Sequence, residues 1–169
     1  GKGCSILFRP AFREAEQQRR RFERELESAV RQQQFTLYYQ PRYDVESGKL
    51  TGCETLVRWQ HPTRGLLLPA DFIAMLVKSP LSVTLGEWII RTALDQVRQW
   101  QVRAPHLRVS INLFPRQLVG NSLEKVLRES AGGDAGFVEL EVDEPLLTVL
   151  VQDMPVQVEA IRQTGASFI

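Results

Sequence analysis

Thiols are scarce in this chain, and their scarcity excludes two classes at once. Cys4 and Cys53 are too few and too far apart for a disulfide framework, and neither has a second thiol within metal-knuckle spacing. A reducing compartment fits best, so the chain is read as cytoplasmic, or as the cytoplasmic part of a larger protein. Net charge is nearly absent as well: 21 Lys and Arg against 20 Asp and Glu leave +1, which supplies no long-range field for a nucleic-acid backbone. No apolar run approaches the roughly 20 residues that cross a bilayer, and Gly1-Lys2-Gly3-Cys4 lacks the layout of a signal peptide, so membrane contact by this segment is not expected. His61 and His106 lie near neither a second histidine nor a candidate nucleophile and read as loop residues. No internal repeat recurs at a fixed period.

What is present is enough apolar residue for a core: 43% of 169 residues, which suits one domain with or without an appendage. Both ends read as cut, with strand-like runs at Gly3 to Phe8 and at Ala166 to Ile169. From Ala11 to Gln34 a charged, Gln-rich stretch behind Pro10 predicts one long helix, with Phe12, Ala15, Phe22, Leu26 and Ala29 along one seam. It reads as an amphipathic linker resting on the domain, with a signalling or dimerising helix as the alternative. The Arg19-Arg20-Arg21 run is a solvated face. Phe35 to Tyr43 and Leu50 to Trp59 alternate as strands about a Glu46-Ser47-Gly48 turn and predict a hairpin. Helices follow at Asp71 to Val77 and Val83 to Arg103, then a strand at Leu107 to Asn112. Pro115 to Ser130 is helical with a break near Gly120; Phe137 to Val142 is a strand, Val151 to Gln163 a helix, and Ala166 begins another strand. Strands alternating with helices of crossover length indicate an α/β fold with a parallel sheet or barrel. Trp59, Trp88 and Trp100 read as core.

Against this background a set of polar residues stands inside apolar strand runs, where core side chains are expected: Gln40, Glu54, Arg58, Asn112 and Glu141. Burying a carboxylate or amide without a partner costs about 2 kcal/mol or more, so such groups usually converge on something. In a parallel barrel the mouth forms at the C-terminal strand ends, where Asn112 and Glu141 fall. Period-two alternation turns Glu54, Leu56 and Arg58 to one face. Two carboxylates and an amide oxygen form a hard donor set suited to Mg²⁺ or Mn²⁺, and the lack of paired His or Cys argues against zinc. Arg58 is suited to clamp a phosphate. Plainer readings stand beside these: a Glu54–Arg58 ion pair, Asn112 as a strand-end cap, Glu141 as a solvated strand end.

These residues carry a resemblance. Phe35-Thr36-Leu37-Tyr38-Tyr39-Gln40-Pro41, then Gly52-Cys53-Glu54-Thr55-Leu56-Val57-Arg58-Trp59-Gln60-His61-Pro62 and Gly65, resemble the opening of an EAL domain, the cyclic-di-GMP phosphodiesterase family. Pro69-Ala70-Asp71-Phe72-Ile73, Leu85-Gly86-Glu87-Trp88, Ser110-Ile111-Asn112-Leu113, Arg116-Gln117-Leu118 and Leu140-Glu141-Val142-Asp143-Glu144 continue the likeness in order. It covers residues 35–169, which read as the N-terminal part of the domain, with 10–34 as linker helix. Residues 1–9 resemble, more briefly, the end of a GGDEF domain.

The likeness implies a (β/α)8 TIM-like barrel whose first strand runs antiparallel to the second, with about the first five strands present. It implies that Glu54, Asn112 and Glu141 hold Mg²⁺ or Mn²⁺, that Gln40 and Arg58 contact cyclic-di-GMP on its guanine and phosphate sides, and that Glu144 braces the loop over the site. Its reaction opens the cyclic dinucleotide to linear pGpG. It also implies GGDEF and sensory domains in the same protein, and exposed sheet edges suggest a homodimer. The chain departs from the family at Thr55, at Leu76-Val77 in place of an Ala-Glu pair, and at Pro80. It ends before the family's paired aspartates and its later lysine and glutamate, so this stretch alone is expected not to turn over. The alternative is a degenerate EAL domain, acting as a receptor or dimerisation module.

Overall fold

The turn between Asp44 and Lys49 sets the geometry from which the sheet grows. Asp44 Oδ1 accepts from the Ser47 amide at 2.8 Å and hydroxyl at 2.6 Å. Gly48 takes a φ of 66°, a left-handed conformation open to a residue without Cβ. The strands it joins, β1 (Phe35–Tyr43) and β2 (Leu50–His61), pair antiparallel from Phe35 opposite Trp59 to Tyr43 opposite Leu50. The computed structural model describes residues 10–169; the GGDEF-like stretch 1–9 lies outside them.

From β2 the sheet continues in parallel through β4 (Arg108–Asn112), β5 (Val138–Glu141) and β6 (Ser167–Phe168), in the order β1-β2-β4-β5-β6. A three-residue β3 (Gly65–Leu67) folds back antiparallel on the end of β2. Around this arc lie α1 (Pro10–Arg31), α2 (Pro69–Leu76), α3 (Leu81–Gln101), α4 (Ser122–Ala131), α5 (Glu144–Asp153) and α6 (Pro155–Arg162). The architecture is the mixed α/β arc of a barrel with an antiparallel first strand, as the sequence indicates. β3 was not expected.

The alternation along β2 decides which face meets the helices. Cys53, Thr55, Val57, Trp59 and His61 are buried, whereas Glu54, Leu56 and Arg58 are half-buried. The core joins the first row to Ile90, Leu94 and Val97 of α3, Val109 and Ile111 of β4, and Leu127 of α4. The polar row therefore lies on the opposite, inner face. The expectation of core positions is corrected accordingly: Gln40 and Asn112 are exposed, and Glu54, Arg58 and Glu141 half-buried.

The long first helix forms as expected and docks through Leu26 and Ala29, both wholly buried. Arg19, Arg20 and Arg21 remain solvated and pair with Glu16 and Glu25. The side chains of Phe12 and Ala15 lie outside those described. The single helix expected over Val151 to Gln163 is two. Asp143 caps α5 by accepting from the Leu146 amide at 2.9 Å, and Pro155 opens α6, because proline suits a first turn and interrupts a helix interior. Trp100 is not core; it is 37% exposed and meets Tyr39 edge-on at 4.9 Å.

Strand packing is tight at Gly52 on β2. Gly52 stands opposite Arg108, and a Cβ added there would lie 2.6 Å from the Arg108 carbonyl oxygen. Backbone cannot swing aside as a side-chain tip does, so Gly52→Ala is expected to cost about 1–3 kcal/mol. Urea denaturation measures this, and an unchanged midpoint contradicts it.

Candidate functional site

The register that buries the apolar rows also aligns the polar ones. Gln40 faces Glu54 across the hairpin, Glu54 faces Ser110, and Asn112 faces Glu141. Asn112 and Glu141 are the last residues of their strands, and Glu54 lies one residue before the β2–β4 pairing ends at Thr55. Asn112 Nδ2 donates to Glu54 Oε1 at 3.2 Å, which leaves Oδ1 as the acceptor end of that amide. The Leu113 amide donates to the Glu141 carbonyl at 3.0 Å and locks the strand ends together. The Glu141 carboxyl is pushed above its ordinary range by burial first and by the charge of Glu54 second. Two carboxylates close enough to repel, with an amide between them, are a hard oxygen set that a divalent cation would relieve. The residues present thus fit Mg²⁺ or Mn²⁺. Among the described residues no group of three His, Cys, Asp or Glu is placed to hold a metal ion, so this set depends on the Asn112 amide as its third donor.

The remaining residues singled out in the sequence take distinct places. Arg58 forms no ion pair with Glu54 among the described residues: its Nη1 donates to the Val57 carbonyl at 2.9 Å and its guanidinium lies over the Tyr38 ring at 5.3 Å. It shares the inner face with Glu54. Gln40 is exposed beside Glu54, and Glu144 is exposed at the first turn of α5. A cavity of about 440 Å³ is lined by two of the trio, with Asn112, Glu141 and Asp143 at its polar side and Leu56, Ile73 and Val77 among its apolar walls. Val77, one of the departures from the family pattern, makes that wall apolar.

One part of the inner face escaped the sequence reading. Glu139 accepts from Arg42 Nη1 at 2.6 Å, Arg108 Nε at 2.6 Å and Ser110 Oγ at 3.0 Å, and Arg42 also bonds Ser110. Burial pushes the Glu139 carboxyl up, but these donors outweigh it and hold it below its usual range. Arg42 stands opposite Gly52, and its guanidinium reaches across β2 to Ser110 and Glu139. The signal was in the sequence: Arg42, Ser110 and Glu139 each stand two residues from Gln40, Asn112 and Glu141, so alternation puts them on the same face.

His61 is also corrected. It ends β2 and is 7% exposed. Its Nδ1 accepts from the Thr63 amide at 3.2 Å, and Nε2 lies 3.7 Å from Glu25 on α1. It fastens the outer face and has no part in the trio.

An arc of parallel strands led by an antiparallel first strand, with two carboxylates and an amide near its strand ends, is the architecture of a TIM-barrel-type protein. The sequence profile of the EAL domain matches residues 23–169, and the chain belongs to the EAL domain family. It is 36% identical over 149 residues to the cyclic di-GMP phosphodiesterase NbdA of Pseudomonas aeruginosa, covering 86% of this chain and 19% of that protein. It is 33% identical over 129 residues to the cyclic di-GMP phosphodiesterase PdeR of Escherichia coli, covering 76% of this chain and 19% of that protein. The chain thus spans about a fifth of the length of these curated relatives. The solved PaMucR phosphodiesterase in complex with c-di-GMP superposes with a TM-score of 0.76 at 26% identity, over 88% of this chain and 62% of that one.

Proposed function

We propose that this chain is the part of an EAL domain that supplies Glu54, Asn112 and Glu141 to a divalent cation, in a protein that hydrolyses cyclic-di-GMP to linear pGpG. The observation that carries the reading is the convergence of those three side chains, with Asn112 Nδ2 on Glu54 Oε1 at 3.2 Å and Glu141 opposite Asn112 across the strand pair. A bound Mg²⁺ or Mn²⁺ supplies charge for polarising a phosphodiester and lowering the pKa of a water. The chain's own groups prepare for it. Asn112 orients Glu54, the β4–β5 pairing fixes Glu141, and Arg58 and Gln40 offer donors on the same inner face for the phosphate and guanine sides of the dinucleotide. Glu144, at the loop beyond Glu141, is assigned the bracing role.

Two carboxylates and one amide hold one cation. The family's second cation and the group that handles the attacking water need ligands other than these, so turnover is assigned to the longer protein, with residues 10–34 as the helix leading into the unit. A cytoplasmic location, GGDEF and sensory domains in the same protein, and a homodimer belong to the same reading. Among the described residues no helix is long and apolar enough to cross a membrane. A second reading, a receptor that binds without turnover, draws on Val77 and the apolar wall it gives the cavity.

Titration calorimetry of cyclic-di-GMP into the full-length protein in Ca²⁺, followed by Mg²⁺ or Mn²⁺ and chromatography for pGpG, separates the two. Binding with product supports the phosphodiesterase, and binding without product supports the receptor. No binding overturns both.

A further inference from the structure

Gln117 is 1% exposed and takes no part in the site described above. β4 ends at Asn112, and the chain then runs through the buried Leu113 and Phe114 into a 3₁₀ turn at Pro115–Leu118. Inside that turn Gln117 Oε1 accepts from the Phe114 amide at 2.9 Å, while the Gln117 amide donates to the Phe114 carbonyl, also at 2.9 Å. The two bonds close a ring two residues beyond Asn112. Three unfavourable features converge on it. The side-chain amide is buried, although burying polar groups is costly. Its Nε2 has no hydrogen-bond partner among the described residues. And α3 carries a glycine in its interior, at Gly86, where a Cβ would overlap the Gln117 amide; mid-helix glycine is a poor choice unless something needs the room. Local choices that oppose stability and share one contact point to a functional demand on that contact.

We propose that Gln117 is a positioning residue for Asn112: seated against Gly86, it holds the Phe114 amide and so fixes the loop that aims the Asn112 side chain at Glu54 and at the cation. The inference rests on the metal site proposed above. Leucine or methionine at 117 would fill the same space without a stranded Nε2, but neither offers an acceptor to Phe114. Only the acceptor needs the amide.

The test is Mn²⁺ binding by the full-length protein, followed by electron paramagnetic resonance and counted as the part abolished by Glu54→Gln, for wild type, Gln117→Met and Gly86→Ala. Met keeps the volume and loses the acceptor; Gly86→Ala favours the helix and displaces the amide, so the second variant serves where the first does not fold. Loss of a group that orients a metal ligand typically weakens the metal about 10–100-fold. A loss of about tenfold or more in each folded variant, with thermal midpoints that do not follow it, supports the inference. Wild-type Mn²⁺ affinity in either folded variant overturns it, whatever the midpoint. No Glu54-dependent Mn²⁺ binding by the wild type overturns the metal reading itself, and this inference with it.

Discussion

Glu54→Gln in the full-length protein is expected to abolish divalent-dependent opening of cyclic-di-GMP, lowering the rate at least about a thousandfold, or about 4 kcal/mol of barrier. Gln keeps the size of the side chain and an oxygen that can still accept from Asn112 Nδ2, so the change removes charge and leaves shape. One carboxylate then remains, and a cation that had two charges to neutralise has one. The second consequence is on Glu141. Its carboxyl is raised by burial and then by Glu54, so the folded protein holds that proton more tightly than the unfolded chain. Stability without metal therefore falls as pH rises from the ordinary carboxyl range through the raised value. Glu54→Gln removes part of the cause and should flatten that fall, while burial still leaves some of it. Rates of pGpG formation and thermal midpoints across acidic pH measure the two effects. A wild-type rate in the variant removes Glu54 from the metal site.

The inner-face stripe was legible because a strand has period two and its register is not free. Once Val109 and Ile111 must be buried, Ser110 and Asn112 have one face left, and the same logic fixes Glu141 once Val138 and Leu140 are buried. What the pattern does not carry is which face is core. Polar residues in apolar runs suggested buried positions, whereas the barrel puts the helices outside and the polar row inside. Arg42, Ser110 and Glu139 each look ordinary alone. Their link is made across four strands, a proximity that only the paired register reveals.

Short elements hid for a different reason. Gly65–Leu67 has three residues, too few to show an alternation, and it is a strand only because the end of β2 offers it an edge. The α5–α6 boundary has a visible signal in Pro155, as the start of α5 has in Pro145. A helix read from Val151 to Gln163 runs through Pro155, although proline favours a first turn and interrupts a helix interior. His61 reads as a loop residue because no second histidine or nucleophile lies near it in sequence, and nothing in the sequence places Glu25 beside it. That contact depends on α1 packing back against β2.

Trp59→Ala is expected to cost about 3–5 kcal/mol, enough to remove much of the stability of a domain this size. Trp59 is wholly buried, with ring centroids of Phe22, Phe35 and Phe72 at 5.5, 5.6 and 5.9 Å and His61 at 4.9 Å. It thereby joins α1, β1, β2 and α2 in one cluster, and its Nε1 donates to Gln34 Oε1 at 3.0 Å just past the end of α1. Arg64 adds a second fastener, lying over the Phe22 and Trp59 rings and bonding Glu25 Oε2 at 2.5 Å. Trp59→Phe keeps most of the ring contacts and gives up the Gln34 bond, so its expected cost is smaller, about 1 kcal/mol. The comparison asks whether α1 is a linker lying on the barrel or part of its wall. A helix that merely rests would fray independently, and amide exchange from Phe22 to Arg31 would be fast in the wild type and indifferent to Trp59. A helix fastened as the packing indicates exchanges through global opening, and Trp59→Ala raises exchange in α1 and β2 together. Since β2 carries Trp59 on its outer row and Glu54 and Arg58 on its inner row, the second outcome ties the position of α1 to the strand that holds the site.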